Sequence, residues 1–168
     1  MKNCIALCLL ALTLGACRSA KESFAFEKIA FHSGPCFGVC PSYHLEIRND
    51  RSVLLKGDSL YGKRGNHQDL VRVGYFKGRI ADTSYVRLLE DLRAIGLDTV
   101  QFKGPDCCDA PMKTLIVYYN SKRKYLRAMF PPDHARALLS TLTGIYKNTR
   151  FDRVGERFEI EFDSIPRK

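Results

Sequence analysis

Apolar and polar residues alternate along several stretches of the chain and recur at helical spacing in two others. Tyr43, Leu45 and Ile47 alternate with His44, Glu46 and Arg48, the pattern of a strand with one buried face. Asn49-Asp50-Arg51 is a turn signal, and Val53 and Leu55 resume the alternation, so residues 42–56 read as a β-hairpin. Phe24, Phe26, Ile29 and Phe31 suggest a strand before it. From Gly57 to Asp69 glycines and polar residues predict a long loop, after which Val71, Val73 and Tyr75 open a fourth strand reaching Ile80.

The helical stretches are equally plain. Tyr85, Leu88, Leu89, Leu92 and Ile95 recur every three or four residues, with Asp82 or Thr83 expected as the cap and Gly96 closing the helix. Met112 to Tyr119 is apolar on both faces and predicts a strand inside a sheet. Asn120-Ser121-Lys122-Arg123 turns the chain into a partner strand, Lys124 to Phe130. Pro131-Pro132-Asp133 then stops that strand and is expected to cap a second helix, whose buried stripe is Ala135, Leu138, Leu139, Leu142, Ile145 and Tyr146. Arg157 to Phe162 alternates strictly and predicts a final strand added to one edge.

The element order is therefore ββββ-α-ββ-α-β. Hairpin-length links make it an α+β fold with a mainly antiparallel sheet of about six to seven strands and two amphipathic helices on one face. No repeat, heptad pattern or low-complexity tract interrupts residues 24–168, which read as a single domain.

The first residues serve another purpose. Lys2 supplies a positive start, Ile5 to Leu14 is a short apolar run, and Gly15 and Ala16 precede Cys17. That run is well short of the roughly 20 residues that span a bilayer core. Leu14-Gly15-Ala16-Cys17 resembles the lipobox of bacterial lipoproteins, which implies a signal peptide over residues 1–16 and palmitate-type acylation of Cys17. Each buried methylene contributes roughly 0.8 kcal/mol, so several acyl chains on one cysteine hold a domain at the bilayer. Residues 17–23 then form a short lipidated tether.

The chain carries 27 Lys and Arg, one of them Lys2, against 18 Asp and Glu. Outside the cytoplasm such a balance points to lipid headgroups and other envelope polyanions, not to nucleic acid. Only Lys122-Arg123-Lys124 forms a compact basic run, and the scatter of the rest reads as a solvated surface.

Seven cysteines divide by position: Cys4 and Cys8 leave with the signal peptide, Cys17 is the anchor, and Cys36, Cys40, Cys107 and Cys108 remain for the domain. On an extended strand Cys36 and Cys40 would stand about 13 Å apart, beyond the ~4.4–6.8 Å of a disulfide, so the chain must turn if they pair. Gly38 permits that turn, and Pro41 pushes Cys40 toward extended backbone. In an oxidising compartment a structural disulfide is the economical reading. Three pairings are open, Cys36 with Cys40 and Cys107 with Cys108, or either crosswise set. A four-thiolate metal or redox site from the same residues is the alternative, although an adjacent cysteine pair makes a poor second zinc knuckle. The spacing of Cys36 and Cys40 fits neither a thioredoxin-type pair nor covalent haem attachment.

Gly34-Pro35-Cys36-Phe37-Gly38-Val39-Cys40-Pro41, followed by Tyr43-x-Leu45-x-Ile47, resembles an uncharacterised bacterial family, domain of unknown function 6438, with its C-F-G-x-C-P signature ahead of a strand. The likeness continues through the helix ending at Gly96-Leu97 and through Asp109-Ala110-Pro111, from about residue 27 to about residue 150. The family's hairpins turn through Asn-Gly or Asp-Gly, whereas this chain has Asn49-Asp50-Arg51-Ser52. The resemblance implies the fold and the exported location and brings no catalytic residues or cofactor.

Other residues invite bland readings. His44 is expected to point away from the core, and His134 lies in a helix's first turn. His32, four residues before Cys36, finds no third orienting group for nucleophilic catalysis. Tyr118, Tyr119 and Tyr125 are expected to pack on the sheet. The expected function is a non-enzymatic binding or structural lipoprotein of the bacterial envelope, by preference on the outer membrane because Arg18, not aspartate, follows Cys17. Its expected partners are the bilayer and an envelope protein or anionic surface.

Overall fold

The computed structural model describes residues 24–36, 40–58, 73–104, 107 and 110–163. Seven strands and two helices follow in the order β1 (Phe26–Ser33), β2 (Tyr43–Arg48), β3 (Ser52–Gly57), β4 (Gly74–Arg79), α1 (Asp82–Ala94), β5 (Lys113–Tyr119), β6 (Lys122–Ala128), α2 (Arg136–Asn148) and β7 (Phe151–Val154). A 3-10 turn, Asp133–Ala135, leads into α2. The strands form one sheet in the order β6-β5-β1-β2-β3-β4-β7, antiparallel at every pairing. This is the α+β architecture that the alternation predicts. The expected loop from Gly57 lies outside the described residues after Asp58, as does Val71.

The period of two in the strands sorts their side chains between two faces. Ile29, Phe31, Leu45, Ile47, Val53, Leu55, Leu115 and Val117 share one face, and Leu88, Leu92, Leu138 and Leu142 of the helices close over it in the main core. Tyr43 of β2 stacks on Tyr146 of α2 with ring centroids 3.9 Å apart. Two turns lock the start of β1. Asn49 N–H donates to the Glu27 carbonyl at 2.9 Å, and Asn120 N–H donates to the Ala25 carbonyl at 2.9 Å. Asn120 and Ser121 both have positive φ, 48° and 57°, the geometry of a tight two-residue hairpin.

Two expectations about helix ends change. Ala81 occupies the cap position of α1 and makes no side-chain capping bond, while Asp82 lies inside the first turn and forms an ion pair with Arg51. Its charge there complements the helix dipole. In the second helix Asp133 opens the 3-10 turn and bonds the Arg136 side chain instead of capping the backbone.

The larger correction concerns the C-terminus. The edge strand is β7, at Phe151–Val154 beside β4, and Arg157 to Phe162 is not a strand. That segment supplies a strap to the second face of the sheet, where Ile160 is buried with Ala30 and Ile116, and Phe158 packs beside Leu54, Tyr118 and Tyr125. Arg123 of β6 holds the strap through its Nε and Nη2 on Glu161 Oε1 at 3.0 and 2.9 Å, and through Nη2 on the Asp163 carbonyl at 2.7 Å. Tyr118 Oη donates to Glu161 Oε2 at 2.9 Å. The alternation of this segment reflects one side facing the sheet, which a strap shares with a strand. The expected packing role of the tyrosines is thus met by Tyr118 and Tyr125 on the second face and by Tyr119 in the main core.

The strap's contribution is measurable. Ile160→Ala leaves a cavity in the second-face cluster and should lower unfolding free energy by about 2 kcal/mol, as burial of an isoleucine implies. Urea denaturation of the two chains measures it, and a midpoint that does not move would remove the strap from the stable fold.

Candidate functional site

β1 and β2 are antiparallel neighbours whose paired residues run from Lys28 with Arg48 to Ser33 with Tyr43. Beyond Ser33, Gly34 N–H donates to the Met112 carbonyl at 2.8 Å, which carries the β5 contact one residue further. Cys36 and Cys40 then form a disulfide with Cα atoms 5.5 Å apart. This selects the local pairing and excludes both crosswise sets. Cys107 is exposed in the loop before β5, and Cys17 and Cys108 lie outside the described residues. The sulfurs of Cys36 and Cys40 are committed to each other, so neither is a thiolate ligand or nucleophile in this state. Among the described residues no three His, Cys, Asp or Glu side chains group so as to hold a metal.

Just inside this loop, on the second face, lies a cluster that the sequence reading missed. His32 and His44 are cross-strand partners, and their rings meet with centroids 4.1 Å apart and planes tilted by 33°. Phe162 of the strap covers both, 6.2 Å from His32 and 5.4 Å from His44. His44 points away from the main core, as the alternation predicts, but its face is not open surface: the strap closes it and leaves the side chain 9% exposed. Glu46, next on the same face, is buried with it and meets Arg48 Nε at 2.8 Å and Lys28 Nζ at 3.6 Å.

Asp58 is the carboxylate of the cluster. Its Oδ2 accepts from Ser42 Oγ at 3.1 Å and lies 3.5 Å from His44 Nε2, while its Oδ1 lies 3.8 Å from Lys56 Nζ. On the other flank, Lys113 Nζ donates to Ser33 Oγ at 2.6 Å. Among the described residues neither His32 Nδ1 nor His44 Nδ1 has a hydrogen-bond partner, and both atoms are buried.

Burial dominates the acid–base behaviour of this cluster. It lowers the His44 pKa to about 4, with the adjacent His32 adding to the shift and Asp58 opposing it. Burial also lowers His32, against the pull of Asp58 and with Lys113 and Lys56 reinforcing the shift. The Lys113 amine is lowered by its own burial. Both imidazoles are therefore neutral at neutral pH, and an added proton meets two cationic amines, one carboxylate and an aromatic lid.

A family model described as a domain of unknown function (DUF6438) matches residues 27–146, a span that begins in β1 and ends within α2. It includes the disulfide loop, the histidine pair, α1 and most of α2, and it stops short of β7 and the strap. No curated protein and no solved structure matches the chain.

The histidine pair makes stability depend on acid. In the unfolded chain a histidine takes its proton near pH 6.5, whereas folded His44 takes it near 4. Between those values the unfolded state binds more protons, so stability falls as pH drops from about 6.5 toward 4 and is flat above about 7 with respect to this pair. The loss should be on the order of 3 kcal/mol for His44, the opposing pull of Asp58 being already contained in its shift. Urea midpoints measured across this range should fall in the natural chain and fall much less in His44→Phe, which keeps the ring contacts. Parallel pH profiles in the two chains would refute the assignment.

Proposed function

The chain belongs to the DUF6438 family, and from that premise we propose that it is an exported bacterial lipoprotein, held to a membrane of the cell envelope through acylated Cys17, whose domain acts as a non-enzymatic binding or structural module. The observation that carries the reading is the Cys36–Cys40 disulfide. Structural disulfides persist where the surroundings are oxidising, which for a bacterial chain means beyond the inner membrane. The export signal that such a location requires is supplied by Lys2, the apolar run from Ile5 to Leu14 and the small pair before Cys17.

Anchoring by lipid is consistent with the rest of the chain. No helix among the described residues is long and apolar enough to cross a membrane. The basic balance that remains once Lys2 leaves with the signal peptide, 26 Lys and Arg against 18 Asp and Glu, suits a domain that lies against anionic headgroups, within the roughly 8–10 Å over which salt leaves such attraction effective. The outer membrane is the preferred address, since Arg18 follows Cys17 where a retention signal for the inner membrane would place aspartate.

Metabolic labelling with a fatty-acid probe tests this. The natural chain should carry label and sediment with membranes, and Cys17→Ser should abolish both. A mature natural chain that is unlabelled and soluble would defeat the proposal. Non-reducing peptide mapping of the exported protein should recover the peptides of Cys36 and Cys40 as one cross-linked species.

A further inference from the structure

We infer that the outer edge of β6, with the groove that runs beside it, takes an extended acidic segment of a partner protein as an added strand. β6 ends the sheet on one side and β7 on the other, and β6 is the longer, with 7 residues against 4. An edge strand offers a row of backbone donors and acceptors with which a second chain can pair. Tyr119 and Lys122 flank the tight turn at Asn120 and Ser121 and so form a hydrogen-bonded pair. Alternation from there directs the backbone groups of Lys124, Leu126 and Ala128 toward β5 and turns the N–H and C=O of Arg123, Tyr125 and Arg127 outward. Among the described residues nothing bonds the outward groups of Tyr125 and Arg127.

The wall of the groove is held in place at both ends and in the middle. Asp98 Oδ1 accepts from Tyr119 Oη at 3.0 Å and from Lys122 Nζ at 3.3 Å, which fixes the segment 98–104 beside the start of β6. Gly104 lies past the other end of the strand, where a Cβ would stand 3.5 Å from the Phe130 carbonyl oxygen. Between these points Val100 is buried in the main core and Phe102 packs against it. The segment nevertheless makes no backbone bond to β6. A groove of about 300 Å³ is left between segment and strand, lined by Val100, Phe102, Lys103, Lys124, Tyr125 and Arg127.

Charge selects the occupant. The lining holds the cations Lys103, Lys124 and Arg127 and no carboxylate. None of these cations has an ion pair among the described residues, and Asp98 is already committed to Tyr119 and Lys122. The register with β5 places Lys124 on the helix side, beside Val117, and Arg127 on the strap side, beside Thr114. Side chains of an added strand alternate between the same two faces and meet a cation on each, so acidic residues complement both. The same charges disfavour a second copy as the occupant. Two β6 edges would set Lys122, Arg123, Lys124 and Arg127 of one against those of the other, and like charges across a sheet destabilise it. The inference rests on the binding-module reading above, to which it adds the chemistry of the partner, and not on the lipid anchor.

The test uses the full chain carrying Cys17→Ser, so that acylation plays no part. Its probe is a short fluorescent peptide in which glutamate alternates with valine, titrated by anisotropy at constant ionic strength. Two companions carry lysine in place of glutamate, or proline in place of the central valine. The acidic peptide should bind, the lysine peptide should not, and proline should weaken binding about tenfold because it cannot donate to a ladder. Lys124→Gln combined with Arg127→Gln should weaken the acidic peptide about tenfold as well. Arg79→Gln combined with Arg150→Gln, which removes the same charge at the opposite edge of the sheet, should change it less than about twofold. Unchanged urea midpoints will show that both variants fold. Failure of the acidic peptide to bind, equal binding of the proline peptide, or equal loss in both variants overturns the proposal. A dimer in sedimentation that shuts out the acidic peptide assigns the edge to a second copy and overturns it too. Those failures leave the fatty-acid label on Cys17 and the Cys36–Cys40 cross-link untouched, so they are separable from failure of the anchored reading.

Discussion

The register between β1 and β2 decides most of what the molecule is. A slip of one residue would exchange the two faces of a strand, moving Ile29 and Phe31 out of the main core. The disulfide guards against that slip. From Lys28 with Arg48 to Ser33 with Tyr43, the numbers of each pair have the same sum, and Cys36 with Cys40 continues the series. The covalent bond thus lies on the symmetry line of the hairpin, where it closes the loop without altering the ladder. The stacking of Tyr43 on α2 and the ring contact of His32 with His44 both depend on this alignment.

Much of this was legible. Clean alternation in Tyr43 to Arg48 and helical spacing in Leu88, Leu92, Leu138 and Leu142 report strands and helices with a single dominant partner, and these elements fell where the pattern put them. The second face was harder because its cover is irregular backbone. A polar residue opposite a core reads as solvent-facing, and His44 and Glu46 are buried only because a strap over a hundred residues away in sequence crosses above them. One signal was available for the histidines: His32 stands as far before Cys36 as His44 stands after Cys40, so a local disulfide makes them cross-strand partners.

The two faces are held by different physics. The helical side is a continuous apolar core, whose cohesion scales with the area removed from water. The strap side mixes a small apolar patch with charges that must be satisfied in place: Glu161 by Arg123 and Tyr118, and Glu46 by Arg48 and Lys28. Loss of one partner there leaves a desolvated charge, so the strap side is selective in its geometry. A helix could cover this face with apolar residues alone, but among the described residues α1 and α2 both lie on the other side.

The place of β1 between β2 and β5 has a consequence in time. Its β2 partner is synthesised soon after it, but the β5 partner of Ile29 is Val117, most of a domain later. A chain delivered from its N-terminus therefore presents β1 with one edge unpaired until β5 and both helices are available, and with its second face bare until Ile160 arrives. Such non-local closure slows folding and prolongs exposure of strand edges. The early β1–β2 hairpin, closed by its own disulfide, is the unit that can form first and wait for the rest.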